Sequence, residues 1–115
     1  MGKKNVRDRL HEVFAWLKEE FPVAQHVRLR VEKMPKEYAD CEGLAYCYPP
    51  VLIRVKKGMN RSTSVYTLLN EYAHVVESDK NGWPEYEDGT DPHSDSFYRT
   101  LGKIERAWAL KEESL

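Results

Sequence analysis

Residues 62–77 constrain the fold more than any other segment, because they form a predicted helix with two unlike sides. At about 3.6 residues per turn, the apolar residues fall on one side and the polar residues on the other. The apolar side carries Val65, Leu68, Leu69, Tyr72, Val75 and Val76. The polar side carries Thr67, Asn70, Glu71, His74 and Glu77. Such a helix buries its apolar side against other elements, so we expect its polar side to line a cleft.

The segments before this helix predict one helix and three strands. Residues 5–20 repeat apolar side chains at three- and four-residue steps, and residues 27–32 alternate apolar with charged ones. Residues 44–48 and 51–56 read as two further strands joined by Pro49-Pro50, which cannot donate to a sheet ladder. We expect the strand at 51–56 to be a sheet edge, because the prolines precede it and its basic residues resist edge-to-edge association.

Turn and capping residues set the remaining boundaries. Ser62 or Thr63 is expected to cap the central helix, and residues 78–90 have the composition of a loop. Asp91-Pro92 then predicts the start of a last helix that reaches about Glu112. Its predicted buried residues are Phe97, Leu101, Ile104 and Trp108. The predicted fold class is therefore α+β, with an N-terminal helix, a three-stranded sheet, a central helix and a C-terminal helix in one domain over residues 1–115.

Composition excludes several classes of protein. With 115 residues, 41% of them hydrophobic and 32% charged, the chain fits one soluble globular domain. A net charge of −1 argues against a binder of nucleic acid that works by overall charge. No apolar run is long enough for a membrane span, and the charged start, Met1 to Arg9, does not predict a secretory signal, so we expect no membrane partner and a cytoplasmic location. Cys41 and Cys47 are too few for a disulfide framework and predict reduced thiols.

The segment Leu68 to His74 is the candidate for chemistry. Asn70 and His74 are four residues apart, so both can point toward one metal from the same side of the helix. Glu71 lies beside them, angled toward a water on that metal, as in the HExxH arrangement in which two histidines bind zinc and the glutamate is the general base. Here the first histidine is replaced by Asn70. His93 follows a polar loop and is the candidate third ligand, although a surface histidine at a helix start explains it equally well.

Several spaced motifs resemble a known family. The stretches Pro50 to Arg54, Ser62 to Val76 and His93 to Phe97 are similar to SprT-like metallopeptidases, particularly the small phage-encoded members. That family has a strand, a helix with HExxH in an LLHEYAH-like run, a loop, and a histidine shortly before an aromatic residue. Ile104 to Trp108 resembles the family's I-x-RAW-like run. The resemblance covers about residues 44–110 and implies a zincin-like domain from a bacterial or phage-infected cell.

The resemblance implies a zinc endopeptidase with Zn²⁺ as cofactor and a protein or peptide as substrate. In that reading Glu71 is the general base, His74 and His93 are metal ligands, and Asn70 stands at a degenerate ligand position. An amide oxygen is a poorer zinc ligand than imidazole, so the expected deficit is in metal occupancy. An extended peptide is expected to pair with the strand at 51–56, with Ile53, Arg54 and Val55 as substrate-binding residues.

Two other functions remain open from the sequence. Asn70 favours a pseudopeptidase that binds a peptide or protein without cleaving it. The basic residues from Arg54 to Arg61 favour a nucleic-acid-associated protein, although a solvated strand end explains them more simply. Glu77 is either a carboxylate that holds an imidazole or part of a solvated face. Trp83 and Tyr86 either line the cleft or pack over the core.

Overall fold

The computed structural model describes residues 5–81 and 94–113, which form three helices and three strands. Their order is α1 (Val6–Glu20), β1 (Val27–Glu32), β2 (Gly43–Tyr46), β3 (Val51–Lys56), α2 (Arg61–Asn81) and α3 (Asp95–Glu113). A single turn of 3₁₀ helix, Lys36–Tyr38, lies between β1 and β2. The α+β fold and the order of elements predicted from the sequence are confirmed.

The sheet has β3 at its centre, so the prediction of β3 as an edge strand is wrong. The strand order is β1-β3-β2, with β1 parallel and β2 antiparallel to β3. The Pro49-Pro50 pair, joined by a cis bond, precedes β3 and does not interrupt its pairing. The charges of Arg54 and Lys56 mark an outer face of the sheet, because every second residue of β3 is buried. Alternation identified the buried face, whereas edge position depends on long-range pairing.

The connection from β1 to β2 crosses the carboxyl end of β3. Backbone hydrogen bonds tie both sides of the crossing to β3, since Lys56 N donates to Glu42 O at 2.8 Å and Lys57 N donates to Glu32 O at 3.1 Å. The Lys56 ammonium also donates to Ala39 O at 3.2 Å. These bonds fix where β2 begins, and so fix which part of α2 it meets.

The core lies between the inner face of the sheet and the three helices. Ile53 and Val55 of β3 are completely buried there, as is Tyr72 of α2. The Tyr72 hydroxyl donates to Phe21 O at 2.8 Å, which satisfies its polar end and links α2 to the end of α1. The last helix buries the four residues expected of it: Phe97, Leu101, Ile104 and Trp108. None of the helices in the described ranges is long and apolar enough to cross a membrane.

Helix boundaries differ from the sequence prediction at both ends of α2. Asn60, not Ser62 or Thr63, is the N-terminal cap, because its Oδ1 accepts from Thr63 N at 2.8 Å. Gly58, with φ of 92°, makes the turn that leads into this cap. The helix continues to Asn81, beyond the predicted end at residue 77.

The start of α3 also differs, since its first residue is Asp95. Ser94 Oγ accepts from Phe97 N at 3.3 Å and caps the helix. The predicted start at Asp91-Pro92 lies outside the described residues.

We expect Asn60→Ala to lower the free energy of unfolding by about 1 kcal/mol, the usual effect of losing a helix cap. Ser62→Ala is the matched control, because Ser62 is exposed and its replacement by alanine should change stability by less than about 0.5 kcal/mol. Urea unfolding of the two variants measures both values. Equal effects at the two positions would contradict the assignment of Asn60 as the cap.

Candidate functional site

The polar side of α2 consists of two stripes that face different neighbours. Thr67, Glu71 and Ser78 form a stripe toward β2 and the residue that follows it, Cys47. Asn70, His74 and Glu77 follow one another at four- and three-residue steps and form a second stripe, whose last two members contact α3. The candidate site is the surface of α2 between β2 and α3.

The first stripe is held against β2 by a glycine. A Cβ atom placed on Gly43 would lie 2.5 Å from Thr67 Cγ2 and 3.1 Å from Glu71 Cγ. Only glycine therefore allows the strand to approach the helix this closely at this point. Thr67 Oγ1 donates to Glu42 Oε2 at 3.4 Å, just before the strand.

The approach of β2 removes water from the Glu71 carboxyl group. Burial raises the pKa of Glu71 from 4.5 to about 7, so the carboxyl group is partly protonated near neutral pH. The Cys47 thiol lies in the same region, and burial raises its pKa. A hydrogen bond with Ser78 lowers that pKa, and the charge of Glu71 raises it further. Glu71 is thus a carboxyl group with the proton affinity that a general base requires at neutral pH.

The second stripe is held against the first turns of α3. The His74 imidazole stacks on the Phe97 ring, with ring centroids 4.2 Å apart and planes inclined by 19°. One turn further along both helices, Thr100 Oγ1 donates to Glu77 Oε2 at 2.7 Å. These two contacts fix the orientation of His74 on the side of α2 where α3 begins.

Glu77 makes contacts across to α3 that the sequence did not indicate. Partial burial raises its pKa, but hydrogen bonds from Ser96 and Thr100 and the charges of Lys80 and Arg99 bring that pKa below its ordinary value. All of these groups except Lys80 belong to α3. Glu77 is therefore an anchor between α2 and α3.

The predicted site residues fall into three groups. Asn70, Glu71 and His74 are half-buried and share one surface of α2. His93, Trp83 and Tyr86 lie outside the described residues, so the convergence of His93 on this surface stays a prediction. Ile53 and Val55 are fully buried in the core, and the neighbouring Arg54 lies on the outer face of the sheet. The substrate-binding role assigned to these β3 residues therefore loses its geometric basis.

The described residues fit a zinc site in part. Stacking on Phe97 uses the face of the His74 ring, whereas metal ligation uses the ring nitrogens at its edge, so the two are compatible. Asn70 offers an amide oxygen, which is a weak zinc ligand. Within residues 5–81 and 94–113, no three His, Cys, Asp or Glu side chains form a group able to hold a metal ion. His93, which the sequence predicts as a third ligand, lies outside these ranges.

Sequence reasoning missed the residues that surround Glu71. Gly43, Cys47 and Ser78 define its environment, yet none of them belongs to a recognisable motif. Ser78 lies seven residues after Glu71, a spacing that places both on one side of a helix, and this signal was hidden by the early predicted end of α2. Gly43 and Cys47 depend on the pairing of β2, which the sequence does not reveal. Cys41 and Cys47 are both free thiols, as expected.

Comparison with protein families, with curated proteins and with solved structures gives no match to this chain.

We expect Glu71→Gln to stabilise the protein progressively as the pH rises from about 4.5 to about 7. A carboxyl group whose pKa is raised in the folded state contributes stability below its unfolded pKa, and that contribution is lost as the pH passes the folded pKa. Across this pH range the unaltered chain should lose stability relative to Glu71→Gln by at most about 3 kcal/mol. Urea unfolding at several pH values, in the presence of a chelator, measures the difference between the variant and the unaltered chain.

Glu77→Gln is the matched control with the opposite sign. Because the pKa of Glu77 is lowered in the folded state, its charged form contributes stability at neutral pH that is lost as the pH falls through the folded pKa. Glu77→Gln should therefore be less stable than the unaltered chain at pH 8. If Glu71→Gln also lost stability at pH 8, the buried, proton-binding state of Glu71 would be refuted.

We expect Gly43→Ala to destabilise the protein by about 1–3 kcal/mol, because the added methyl group overlaps Thr67 Cγ2 and either the Thr67 side chain or β2 must shift. Gly102→Ala is the control, since an added Cβ there meets nothing within 4 Å and alanine favours the helix by about 1 kcal/mol. Thermal unfolding of both variants gives the comparison. A neutral Gly43→Ala would show that β2 and α2 are not in close contact.

Proposed function

We propose that this chain is a SprT-like zinc endopeptidase whose activity is impaired by Asn70. The observation that carries the proposal is the placement of Glu71, with a pKa of about 7, on the same turn of α2 as Asn70 and His74. A carboxyl group in this state is suited to take a proton from a water molecule and return it to a leaving amine. The spaced motifs that resemble the family support the same reading.

The proposed metal ligands are His74, His93 and, weakly, Asn70. Zn²⁺, when bound, supplies a Lewis acid that polarises the scissile carbonyl and lowers the pKa of water. The chain's own residues supply the rest. Glu71 accepts the proton of the attacking water, and Phe97 holds the plane of the His74 imidazole. Because Thr100 and Ser96 bond Glu77, they keep α3 aligned with this side of α2.

The substrate in this proposal is an extended peptide that pairs with β2, in place of β3. In the described part of the chain, β2 pairs with β3 on one side only, and Gly43 brings it against Glu71. A peptide added to the free edge of β2 as a further strand would pass beside the Glu71 carboxyl group. β2 thus offers the free sheet edge for peptide pairing that was expected at Ile53, Arg54 and Val55.

A second candidate function is peptide binding without cleavage, and the identity of Asn70 is the observation that favours it. The edge of β2 and the stacked His74 are independent of zinc, so a peptide can bind there while the metal site stays weak. The two functions share one surface and differ in metal occupancy.

We expect Asn70→His to raise zinc affinity at least about tenfold, or 1.4 kcal/mol, because it restores an imidazole one helical turn before His74. Thermal stability should then become dependent on zinc, since the metal binds the folded state. Titration calorimetry with zinc on the unaltered chain and on Asn70→His measures the first effect without reference to activity.

The same variants separate the two candidate functions. Proteolysis of a broad substrate should appear in Asn70→His and disappear when Glu71→Gln is added, because the base is lost while the ligands remain. Tight zinc binding and cleavage by the unaltered chain would show that Asn70 does not impair the site. No gain of zinc affinity in Asn70→His would refute the metal site and leave peptide binding.

A further inference from the structure

The second free edge of the sheet, formed by β1, has side chains that alternate between two chemical types. In the part of the chain that the structure describes, β1 pairs with β3 alone, so its other side presents backbone N–H and C=O groups. Arg28 and Arg30 are exposed on the outer face of the sheet, and Leu29 and Val31 are half-buried on the inner face. The edge is therefore basic on one face and aliphatic on the other.

The two arginines have no acidic partner on this face. Arg30 lies opposite Arg54, a like charge on the neighbouring strand, and Arg28 lies opposite Leu52. Neither forms an ion pair with any residue in the described ranges. Like charges at directly paired positions are unfavourable in a sheet, so an acidic group beside Arg30 would offset a charge that no acid offsets within the described ranges.

Among the residues of the three described strands, Glu32 is the one acid on this face, and it is already engaged. Glu32 Oε1 lies 2.8 Å from the buried Nε of Arg54, in an ion pair that lacks hydrogen-bond geometry. The Arg54 guanidinium also lies 5.8 Å from the centre of the Tyr46 ring. Arg54 is thus held by Glu32 and β2, while the charges of Arg28 and Arg30 stand uncompensated at the edge.

We propose that the free edge of β1 binds an extended segment of a partner protein in which acidic and apolar residues alternate. Added as a fourth strand, such a segment would place the Cβ atoms of its acidic residues about 5 Å from the Cβ atoms of Arg28 and Arg30. Its apolar side chains would cover Leu29 and Val31, which are only half-buried in the free protein. Main-chain bonds would supply affinity, and the two alternating patterns would supply specificity.

Two other occupants fit this edge less well. A second copy paired antiparallel would set Arg28 against Arg30, or set Arg30 against Arg30 and Arg28 against Glu32, an acid that already pairs with Arg54. Single-stranded nucleic acid binds through cations interleaved with aromatic rings, but among the described strand residues the aromatic ring on this face is Tyr46, on the opposite edge strand. The proposal is independent of the peptidase reading, because the edge of β2 and the edge of β1 lie on opposite sides of β3.

The test uses the full chain and short labelled peptides. One peptide alternates glutamate and valine over six residues, the length of β1, and a second has the same composition with its glutamates grouped at one end. Fluorescence anisotropy should show at least about tenfold tighter binding of the alternating peptide. Amide chemical shifts in the protein should change across Val27–Glu32. Equal binding of the two peptides, or unchanged β1 amides, would overturn the proposal.

Arginine variants test the charge pattern. Arg28→Gln combined with Arg30→Gln should weaken binding of the alternating peptide at least about tenfold. Arg7→Gln combined with Arg106→Gln is the matched control. Arg7 and Arg106 are exposed on α1 and α3, and their substitution removes the same amount of charge. Binding should also weaken as salt is raised. A labelled single-stranded oligonucleotide that bound more tightly than the peptide through Arg28 and Arg30 would overturn the choice of partner.

Discussion

The packing of α2 determines the rest of this structure. The helix contacts α1, α3, β2 and β3, and its apolar residues occupy the centre of the core. A helix enclosed in this way has little surface left for polar side chains, and those side chains must find partners where they are. Thr67 meets Glu42, and Glu77 meets Thr100. Glu71 differs from Glu77 because burial raises its pKa to about 7, whereas the partners of Glu77 lower its pKa.

The state of Glu71 opposes the stability of the fold. A carboxyl group buried beside Gly43 lowers stability at neutral pH, and glutamine at the same position would avoid the penalty. Such local penalties are typical of functional sites, where a group is held in a state that it would not adopt in water. The contact that excludes water from Glu71 also requires glycine at position 43. A proton-binding function for Glu71 accounts for both features together.

The parts of the fold that were predictable from the sequence are those controlled by local periodicity. The alternation at Val27 to Glu32 and the two sides of α2 each reflect a repeat within one element. The prediction that β3 is an edge strand was wrong. The prolines before β3 and the charge of Arg54 are also compatible with a central strand that has one exposed face. The predicted N-terminal cap of α2 was wrong for a different reason. Asn60, Ser62 and Thr63 are all good capping residues, and the turn at Gly58 decides among them.

The same distinction applies to the candidate site. Asn70, Glu71 and His74 were predictable because they lie on one helix, where spacing alone fixes their relation. The environment of Glu71 was not, since Gly43 and Cys47 reach it only through the register of β2 against β3.

This geometry also explains how asparagine at position 70 is compatible with the fold. The contacts that align α2 with its neighbours are apolar burial, the glycine contact with β2, and the Glu77 and His74 contacts with α3. None of these contacts uses the side chain of Asn70, so the identity of residue 70 can change without removing the interactions that form the core.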